Sequence, residues 1–136
     1  MTRDKAFDEA ETLIEIARQG KEKQLFLANM GLSELPRSLG ELHQLQSLDL
    51  SDNHIGETSE SFELLKQLTH LRSLNVSGNK LANIPLSLAD LSELQWLDLS
   101  SNLLTTLPDW LEKLNQLHTL NVSRNQFAVL PESLGA

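Results

Sequence analysis

The sequence contains no cysteine, and aromatic residues make up only 4% of it. Without cysteine there is no disulfide framework and no thiolate metal site, which favours a reducing compartment. The longest apolar runs are only a few residues, too short for a membrane span, and residues 1–20 lack the apolar run of a signal peptide. We therefore expect a cytoplasmic protein that does not associate with membranes.

Features that catalysis or metal binding would need are also scarce. Asp49 and Asp98 could form an acid pair, but nothing nearby in the sequence would desolvate either one. No glycine-rich phosphate loop is present, and the histidines occupy unlike places. The net charge of −8 and the scattered Lys and Arg residues disfavour nucleic acid. The expected protein is not an enzyme and has no cofactor, no metal and no nucleic-acid partner.

What the sequence does contain is one motif written four times, "LDLSDNHI", "LNVSGNKL", "LDLSSNLL" and "LNVSRNQF". Leu71, Leu94 and Leu117 recur every 23 residues, and Leu45 precedes Leu71 by 26. The related stretch "LFLANMGL" begins at Leu25, so the repeat extends towards the N-terminus. The predicted units are residues 22–44, 45–70, 71–93, 94–116 and, in part, 117–136, following an N-terminal segment of residues 1–21.

Each unit has two halves with different periodicity. The first half, such as "LQWLDLSSN", alternates apolar and polar residues and predicts a strand with one buried face. The second half, such as "LTTLPDWLEKL", spaces leucines three or four apart around proline and predicts a helical or 3₁₀ turn. One such unit cannot bury its own leucines, so the units must stack side by side with their strands parallel.

An asparagine follows the strand in each of the four octets. Its side-chain amide can pair with backbone groups of neighbouring turns that would otherwise be buried without partners. We expect a structural asparagine ladder of Asn53, Asn79, Asn102 and Asn125.

The combined pattern, Leu-x-x-Leu-x-x-Leu-x-Leu-x-x-Asn-x-Leu-x-x-Leu-Pro, resembles the leucine-rich repeat family over residues 22–136. Its 23-residue length with Leu-Pro is similar to the cytoplasmic Ras-group, Scribble-type and Roco-type members. The resemblance implies an α/β, right-handed curved solenoid with a parallel sheet on its concave, protein-binding face and helical turns on its convex side. Two departures stand out: Met30 replaces the first asparagine, and "GETSESFELLKQL" replaces Leu-Pro in the second unit, where Ser59 or Ser61 could cap a short helix.

The N-terminal segment predicts an amphipathic helix over residues 3–19 that covers the first coil. Phe7, Ala10, Ile14 and Ala17 recur at helical spacing, and Leu13 widens the stripe. Gly20 is the expected C-cap. Phe26, which points outward from the first strand, is expected to pack under this helix. Membrane attachment is disfavoured because the polar side of the helix is acidic.

The outward side chains of the strands form the candidate binding face. Trp96 is an exposed hot spot or an aromatic packed on its neighbours, two alternatives that the sequence leaves open. One predicted row alternates acid and amide, the next consists of serines, and arginines lie beside them. The candidate partner-binding residues are Trp96, Asp49, Asn75, Asp98, Asn121, Ser51, Ser77, Ser100, Ser123, Arg72 and Arg124.

These features predict a non-enzymatic module that holds a protein partner on its concave strand face. Two other hypotheses stay open. The chain could be the N-terminal regulatory part of a larger signalling protein such as a GTPase or kinase, because it stops in mid-unit at "LPESLGA". It could also self-associate through an uncapped C-terminal end.

Overall fold

The computed structural model describes residues 3–55 and 59–127. The end of the predicted fifth unit, residues 128–136, lies outside the described residues. The chain begins with helix α1 (Arg3–Gln19), and a second helix, α2 (Ser59–Glu63), lies between the second and third strands. The strands are β1 (Gln24–Phe26), β2 (Ser47–Asp49), β3 (Ser73–Asn75), β4 (Trp96–Asp98) and β5 (Thr119–Asn121).

The five strands form one parallel sheet in sequence order, β1-β2-β3-β4-β5. Their central leucines pair across the sheet, from Leu25 with Leu48 to Leu97 with Leu120. Neighbouring strands therefore pair in the register of the 23- and 26-residue repeat. The predicted fold, a solenoid with a parallel sheet, short helices, 3₁₀ turns and an N-terminal helix, is confirmed.

Proline sets the geometry of three of the four described return segments. Pro36, Pro85 and Pro108 have φ of −62°, −61° and −74° and lie directly before 3₁₀ helices. The ring fixes φ near these values, so each proline turns the chain into the helix without a conformational cost. These helices span Arg37–Glu41, Leu86–Asp90 and Asp109–Lys113.

The second unit has no proline before its 3₁₀ helix, and its return segment is longer. Helix α2 leads directly into a 3₁₀ helix, Leu64–Gln67, and Phe62 fills the place of the proline with its ring fully buried. Ser61 is the third residue of α2 and not the residue before it, and its hydroxyl accepts a hydrogen bond from the Leu35 backbone N–H at 3.0 Å. Gly56 lies outside the described residues.

The core is a continuous column of leucines contributed by every coil. In the fourth unit, Leu94, Leu97, Leu99 and Leu104 are fully buried, and their equivalents in the second and third units are buried as well. Each such side chain contributes about 1.5–3 kcal/mol through the area that it removes from water. The strand side chains that alternate with these leucines point away from the core.

Helix α1 packs against the first coil, but with a narrower stripe than predicted. Ala10, Ile14 and Ala17 are buried, as is Ala6, whereas the predicted Phe7 is half-buried and Leu13 is 37% exposed. Small alanines let the helix axis approach the coil closely, which leaves the neighbouring position at the rim. Gly20 follows the last residue of the helix as the predicted C-cap, and the next residue, Lys21, takes the left-handed conformation with φ 50°. No helix in the described part of the chain is long and apolar enough to cross a membrane.

Candidate partner-binding face

The outward side chains of the sheet form three rows, which together we call the strand face. Strand pairing sets the first two rows, and the third follows two residues after the second. The first row is Gln24, Ser47, Ser73, Trp96 and Thr119; the middle row is Phe26, Asp49, Asn75, Asp98 and Asn121; the third row is Ala28, Ser51, Ser77, Ser100 and Ser123.

The middle and third rows are joined by a repeated side-chain hydrogen-bond motif. In the second unit, the Asp49 Oδ1 atom accepts hydrogen bonds from the Ser51 backbone N–H at 2.9 Å and the Ser51 hydroxyl at 2.7 Å. The same two bonds join Asn75 to Ser77, Asp98 to Ser100 and Asn121 to Ser123, over 2.6–3.0 Å. One oxygen suffices for both bonds, so aspartate and asparagine are interchangeable here.

This motif changes what the serine row offers to a partner. Ser77 and Ser100 are half-buried and Ser123 is exposed, whereas Ser51, also a candidate binding residue, is buried with 8% of its surface exposed. Each serine hydroxyl proton is directed at its own Asp or Asn. The groups left for a partner are the second carboxylate oxygens of Asp49 and Asp98, the side-chain NH₂ groups of Asn75 and Asn121, and the oxygen lone pairs of those serines that are not buried. The sequence carries the signal, an Asp or Asn two residues before a Ser in every octet, which is the spacing of a local side-chain-to-backbone turn.

The four ladder asparagines lie under the carboxyl ends of the strands and bridge adjacent coils. Asn53 accepts hydrogen bonds from the backbone N–H groups of Met30 and Leu32, both at 3.0 Å, and donates to the carbonyl oxygen of Leu27 at 2.8 Å. Asn102 makes the corresponding bonds to Asn79, Leu81 and Val76. The equivalent amides of Asn79 and Asn125 donate to the Leu50 and Leu99 carbonyl oxygens of the preceding coils.

The direction of these bonds explains why Met30 is tolerated in the first unit. Each ladder asparagine bonds the coil before its own, and the first coil is preceded by α1 instead of another coil. No backbone groups of an earlier strand turn therefore need an amide at position 30.

A left-handed residue precedes the asparagine position in every unit. Asn29, Asp52, Gly78, Ser101 and Arg124 all have positive φ, between 54° and 67°. This turn moves the chain from the strand face to the interior asparagine. Arg124, a candidate binding residue, is thus held at a turn, and its side chain is exposed.

The aromatic and cationic candidates differ in accessibility. Trp96 is half-buried between its row neighbours Ser73 and Thr119, whereas Phe26 is 63% exposed. The expectation that Phe26 packs under α1 is wrong. Because side chains alternate along β1, Leu25 and Leu27 point inward and Phe26 points outward. Helix α1 covers the inward side of the first coil, so Phe26 stays exposed as the first residue of the middle row. Arg72 is exposed directly before β3.

The described residues contain no cluster of three or more His, Cys, Asp or Glu side chains that could hold a metal ion. Histidines appear singly, and His70 pairs with Glu93 at 3.0 Å at the edge where the strands begin. The strand face is a polar surface with two aromatic side chains, and it offers hydrogen-bonding groups and the charges of Asp49 and Asp98.

Comparisons with known proteins agree with this geometry. A leucine-rich repeat model matches residues 69–127, and a model for two copies of the repeat matches residues 43–88. A leucine-rich repeat protein of Leptospira interrogans is 36% identical, with a TM-score of 0.79 over 89% of this chain and 31% of that chain. Internalin C2 of Listeria monocytogenes is 25% identical, with a TM-score of 0.66 over 90% of this chain and 65% of that chain.

The chain thus spans about a third of the Leptospira chain and just under two thirds of the internalin chain. No curated protein sequence matches it. The repeat spacing, the parallel register, the asparagine ladder and the matches at residues 43–127 all lead to the same assignment. The chain belongs to the leucine-rich repeat family.

Proposed function

We propose that this chain is a non-enzymatic protein-binding module that holds a segment of a partner protein on its strand face. Membership of the leucine-rich repeat family supports a role in protein–protein interaction, and the surface geometry supports the choice of face. The strand face combines a rigid sheet, free polar groups at regular spacing and two partly or largely exposed aromatic side chains.

One observation carries the choice of surface. The inward residues of β2 to β4 are fully buried, whereas their outward neighbours Asp49, Asn75 and Asp98 stay half-buried. The main packing partners of β2 to β5 are the neighbouring strands. A surface that is fixed by the fold but keeps unused hydrogen-bonding groups is suited to a partner that supplies the missing ones.

A capture experiment with matched variants tests this proposal. Trp96→Ala combined with Asp98→Asn removes the aromatic and a charge but keeps the bonds to Ser100. Leu86→Ala is the control, because Leu86 is 70% exposed on the return edge, away from the strands. We expect partners captured by the immobilised wild-type chain and by the control to be lost with the double variant. Equal capture by all three chains would contradict the strand-face assignment.

The cytoplasmic location and the Ras-group, Scribble or Roco subgroup belong to this proposal as well. The 23-residue spacing with Leu-Pro supports the subgroup. Asn75 and Asn121 each begin an N-glycosylation sequon. A glycan on either would obstruct the proposed binding face, which favours a compartment without glycosylation. Fractionation of cells expressing the tagged chain tests the location.

Self-association through β5 is a second candidate, and the burial pattern favours it. Leu117, Leu120 and Val122 are partly exposed, whereas the equivalent Leu94, Leu97 and Leu99 are fully buried. A second copy pairing at this edge would bury them and continue the sheet. Sedimentation over a range of concentrations should then show a dimer that Val122→Lys abolishes, and a monomer at all concentrations would exclude this candidate.

A role as the regulatory part of a larger signalling protein is the remaining alternative. The chain covers 31% of the length of the Leptospira chain, so a module of this size can form part of a longer protein. Sequencing the complete reading frame tests this alternative.

A further inference from the structure

The strand face carries charge of one sign. Its three rows contain two carboxylates, Asp49 and Asp98, and none of the described residues that make up these rows is Lys, Arg or His. Arg72 and Arg124 lie close by in the sequence, but within the described part of the chain neither forms an ion pair with these carboxylates. Because the face and the whole chain, with its net charge of −8, are both negative, charge complementarity favours a basic partner.

Each of the two carboxylates keeps one oxygen for a partner. The Oδ1 atoms of Asp49 and Asp98 accept the bonds from Ser51 and Ser100, and no described residue donates a hydrogen bond to either Oδ2 atom. Both aspartate side chains are half-buried, so solvent screens a charge there less than on the open surface. An ionised carboxylate can only accept hydrogen bonds, so each free oxygen needs a donor, and a cationic donor adds charge attraction.

An aromatic side chain lies beside each carboxylate on the face. Phe26 pairs with Asp49 across neighbouring strands, about 4.8 Å apart. Trp96 precedes Asp98 by two residues in β4, so both side chains point outward from backbone positions about 7 Å apart. The face of an aromatic ring carries partial negative charge, so a cation that reaches either carboxylate is attracted by the ring as well. We call Asp98 with Trp96, and Asp49 with Phe26, the two acid–aromatic pairs.

These pairs suit an arginine side chain better than a lysine or a metal ion. A guanidinium is planar and weakly hydrated, and it can stack on a ring while its N–H groups reach a carboxylate. A lysine ammonium is a compact, strongly hydrated charge without a plane to stack. A divalent metal ion needs several oxygen ligands, and among the described residues neither carboxylate belongs to a cluster of three or more acidic or histidine side chains.

The distance between the two pairs requires two arginines. Asp49 and Asp98 are separated by two strand spacings, about 10 Å, whereas a hydrogen bond spans about 3 Å. A single guanidinium therefore cannot bind both carboxylates. Three residues of an extended chain also span about 10 Å, so one short segment that crosses the strands can supply both arginines.

We infer that the partner segment is basic and that two of its arginines occupy the acid–aromatic pairs of the strand face. Each guanidinium donates hydrogen bonds to the free Oδ2 atom and stacks on the neighbouring ring. The pair with Trp96 contributes more, because an indole attracts a cation more strongly than a phenyl ring does. The inference rests on the proposed function, because it identifies the kind of segment that the strand face binds.

Two double variants with equal net charge test the carboxylates. Asp49→Asn with Asp98→Asn removes both charges and keeps the bonds to the serines, because the asparagines of this row already make them. Asp90→Asn with Asp109→Asn makes the same chemical change at exposed positions of the return segments. A comparison between the two variants removes the general attraction of a basic peptide to an acidic protein.

Single leucine variants test the rings. Trp96→Leu and Phe26→Leu each keep an apolar side chain and remove the ring face. The loss of affinity caused by either variant should largely disappear when glutamine replaces the corresponding arginine of the peptide, because the ring then has no cation to attract. A loss that stayed the same with glutamine would overturn the role of the rings.

The probe is a displayed library of random peptides of about ten residues, enough to cross all the strands when extended. Selection on the wild-type chain should enrich peptides with two arginines. These peptides should bind the Asp49→Asn, Asp98→Asn chain about tenfold more weakly than the Asp90→Asn, Asp109→Asn chain, because two ion pairs are lost. Replacing both arginines of the peptide by lysine should also weaken binding. Circular dichroism and urea unfolding confirm that each variant is folded.

Ser73→Tyr separates this inference from the proposed function, because it fills the middle of the strand face without changing its charge. Loss of peptide binding in Ser73→Tyr, together with equal affinity for the two asparagine variants, would overturn the arginine sites and keep the strand-face function. Enrichment of peptides that lack arginine but lose binding in Ser73→Tyr would have the same meaning. Peptide binding that neither Ser73→Tyr nor the Asp49→Asn, Asp98→Asn variant weakens would overturn both.

Discussion

Each octet contains two sites for an Asp or Asn side chain, and the comparison between them shows what this fold fixes and what it leaves free. The interior site, represented by Asn102, uses its oxygen and its NH₂ group, which makes three donated bonds to carbonyl oxygens. The face site, represented by Asp98, uses one oxygen. The interior site therefore requires an amide, whereas the face site accepts either residue.

Because of this difference, the charge on the strand face can change without a change in the fold. Replacing aspartate by asparagine there alters the electrostatic pattern without altering the turn, so the alternation of acid and amide can vary independently of the fold. The positions of the charges on the strand face can therefore differ while the scaffold stays the same.

The largest expected effect comes from making the interior site acidic. Asn102→Asp would place a carboxylate against the carbonyl oxygens of Val76, Leu99 and Ser100 in a buried site. Losing these donors and burying a charge should lower the free energy of unfolding by about 3–5 kcal/mol. Urea unfolding at neutral pH measures this loss in the free energy of unfolding.

The same experiment includes its own comparison. Asp98→Asn, the reverse change at the face site, should shift the unfolding free energy by no more than about 0.5 kcal/mol. The defect of Asn102→Asp should shrink at acidic pH, because a protonated carboxyl can donate one of the lost bonds. Similar losses for the two variants would remove the distinction between the sites.

A smaller effect is expected at the turn that connects the two sites. Gly78 has φ 67°, and a Cβ atom added there would clash with the Asp52 Oδ1 atom. Gly78→Ala should cost about 1–2 kcal/mol from the left-handed conformation, and the Asp52 side chain must also move. Thermal or urea unfolding would report the loss.

The neighbouring units supply the control for this turn. Arg124 has φ 55° at the equivalent position, so Arg124→Gly should stabilise the chain by relieving the same conformational cost. Asp52→Gly added to Gly78→Ala should recover more than the part due to the contact, because Asp52 is itself left-handed with φ 55°. If Gly78→Ala left the free energy of unfolding unchanged, the left-handed conformation would not restrict which residue can occupy this turn.

A still smaller effect tests the face motif itself. Ser100→Ala removes the hydroxyl that donates to the Asp98 Oδ1 atom at 2.6 Å but leaves the backbone N–H bond at 2.9 Å. The half-buried bond should contribute about 0.5–1.5 kcal/mol. The variant is best measured beside Ser123→Ala, where the motif is exposed and the loss should be smaller. Equal losses would mean that burial does not strengthen the motif.

Repetition decided which features could be predicted from the sequence. The strands, their register and the fully buried leucines follow from a pattern present in every unit, since a wrong assignment in one coil would conflict with the next. The Asp-x-Ser or Asn-x-Ser spacing is equally repeated, yet its local bond was missed because the residues were interpreted only as an outward surface.

The errors concentrate where the chain has a single copy of a feature. Helix α1 is unique, so nothing in the repeats indicated that Ala6 would be buried and Leu13 would lie at the rim. Phe26 was placed under this helix for the same reason. Which end of the first coil a helix covers depends on packing between distant residues, and no short sequence pattern contains that information.

The smallest expected effect concerns a carboxylate that forms an ion pair, which Asp49 and Asp98 do not do with any described residue. On the surface of α1, hydrogen bonds from Arg18 and then from Gln19 lower the pKa of Glu15. A carboxyl whose pKa is lower in the folded state stabilises the fold above its unfolded pKa, and the contribution disappears as the pH falls through the folded value. Glu15→Gln should therefore unfold at slightly lower urea concentration than wild type near neutral pH, and the two midpoints should converge in acid. Solvent screens this exposed pair, so added salt should also reduce the difference. A difference that persisted in acid or in high salt would have to come from packing and not from the charge.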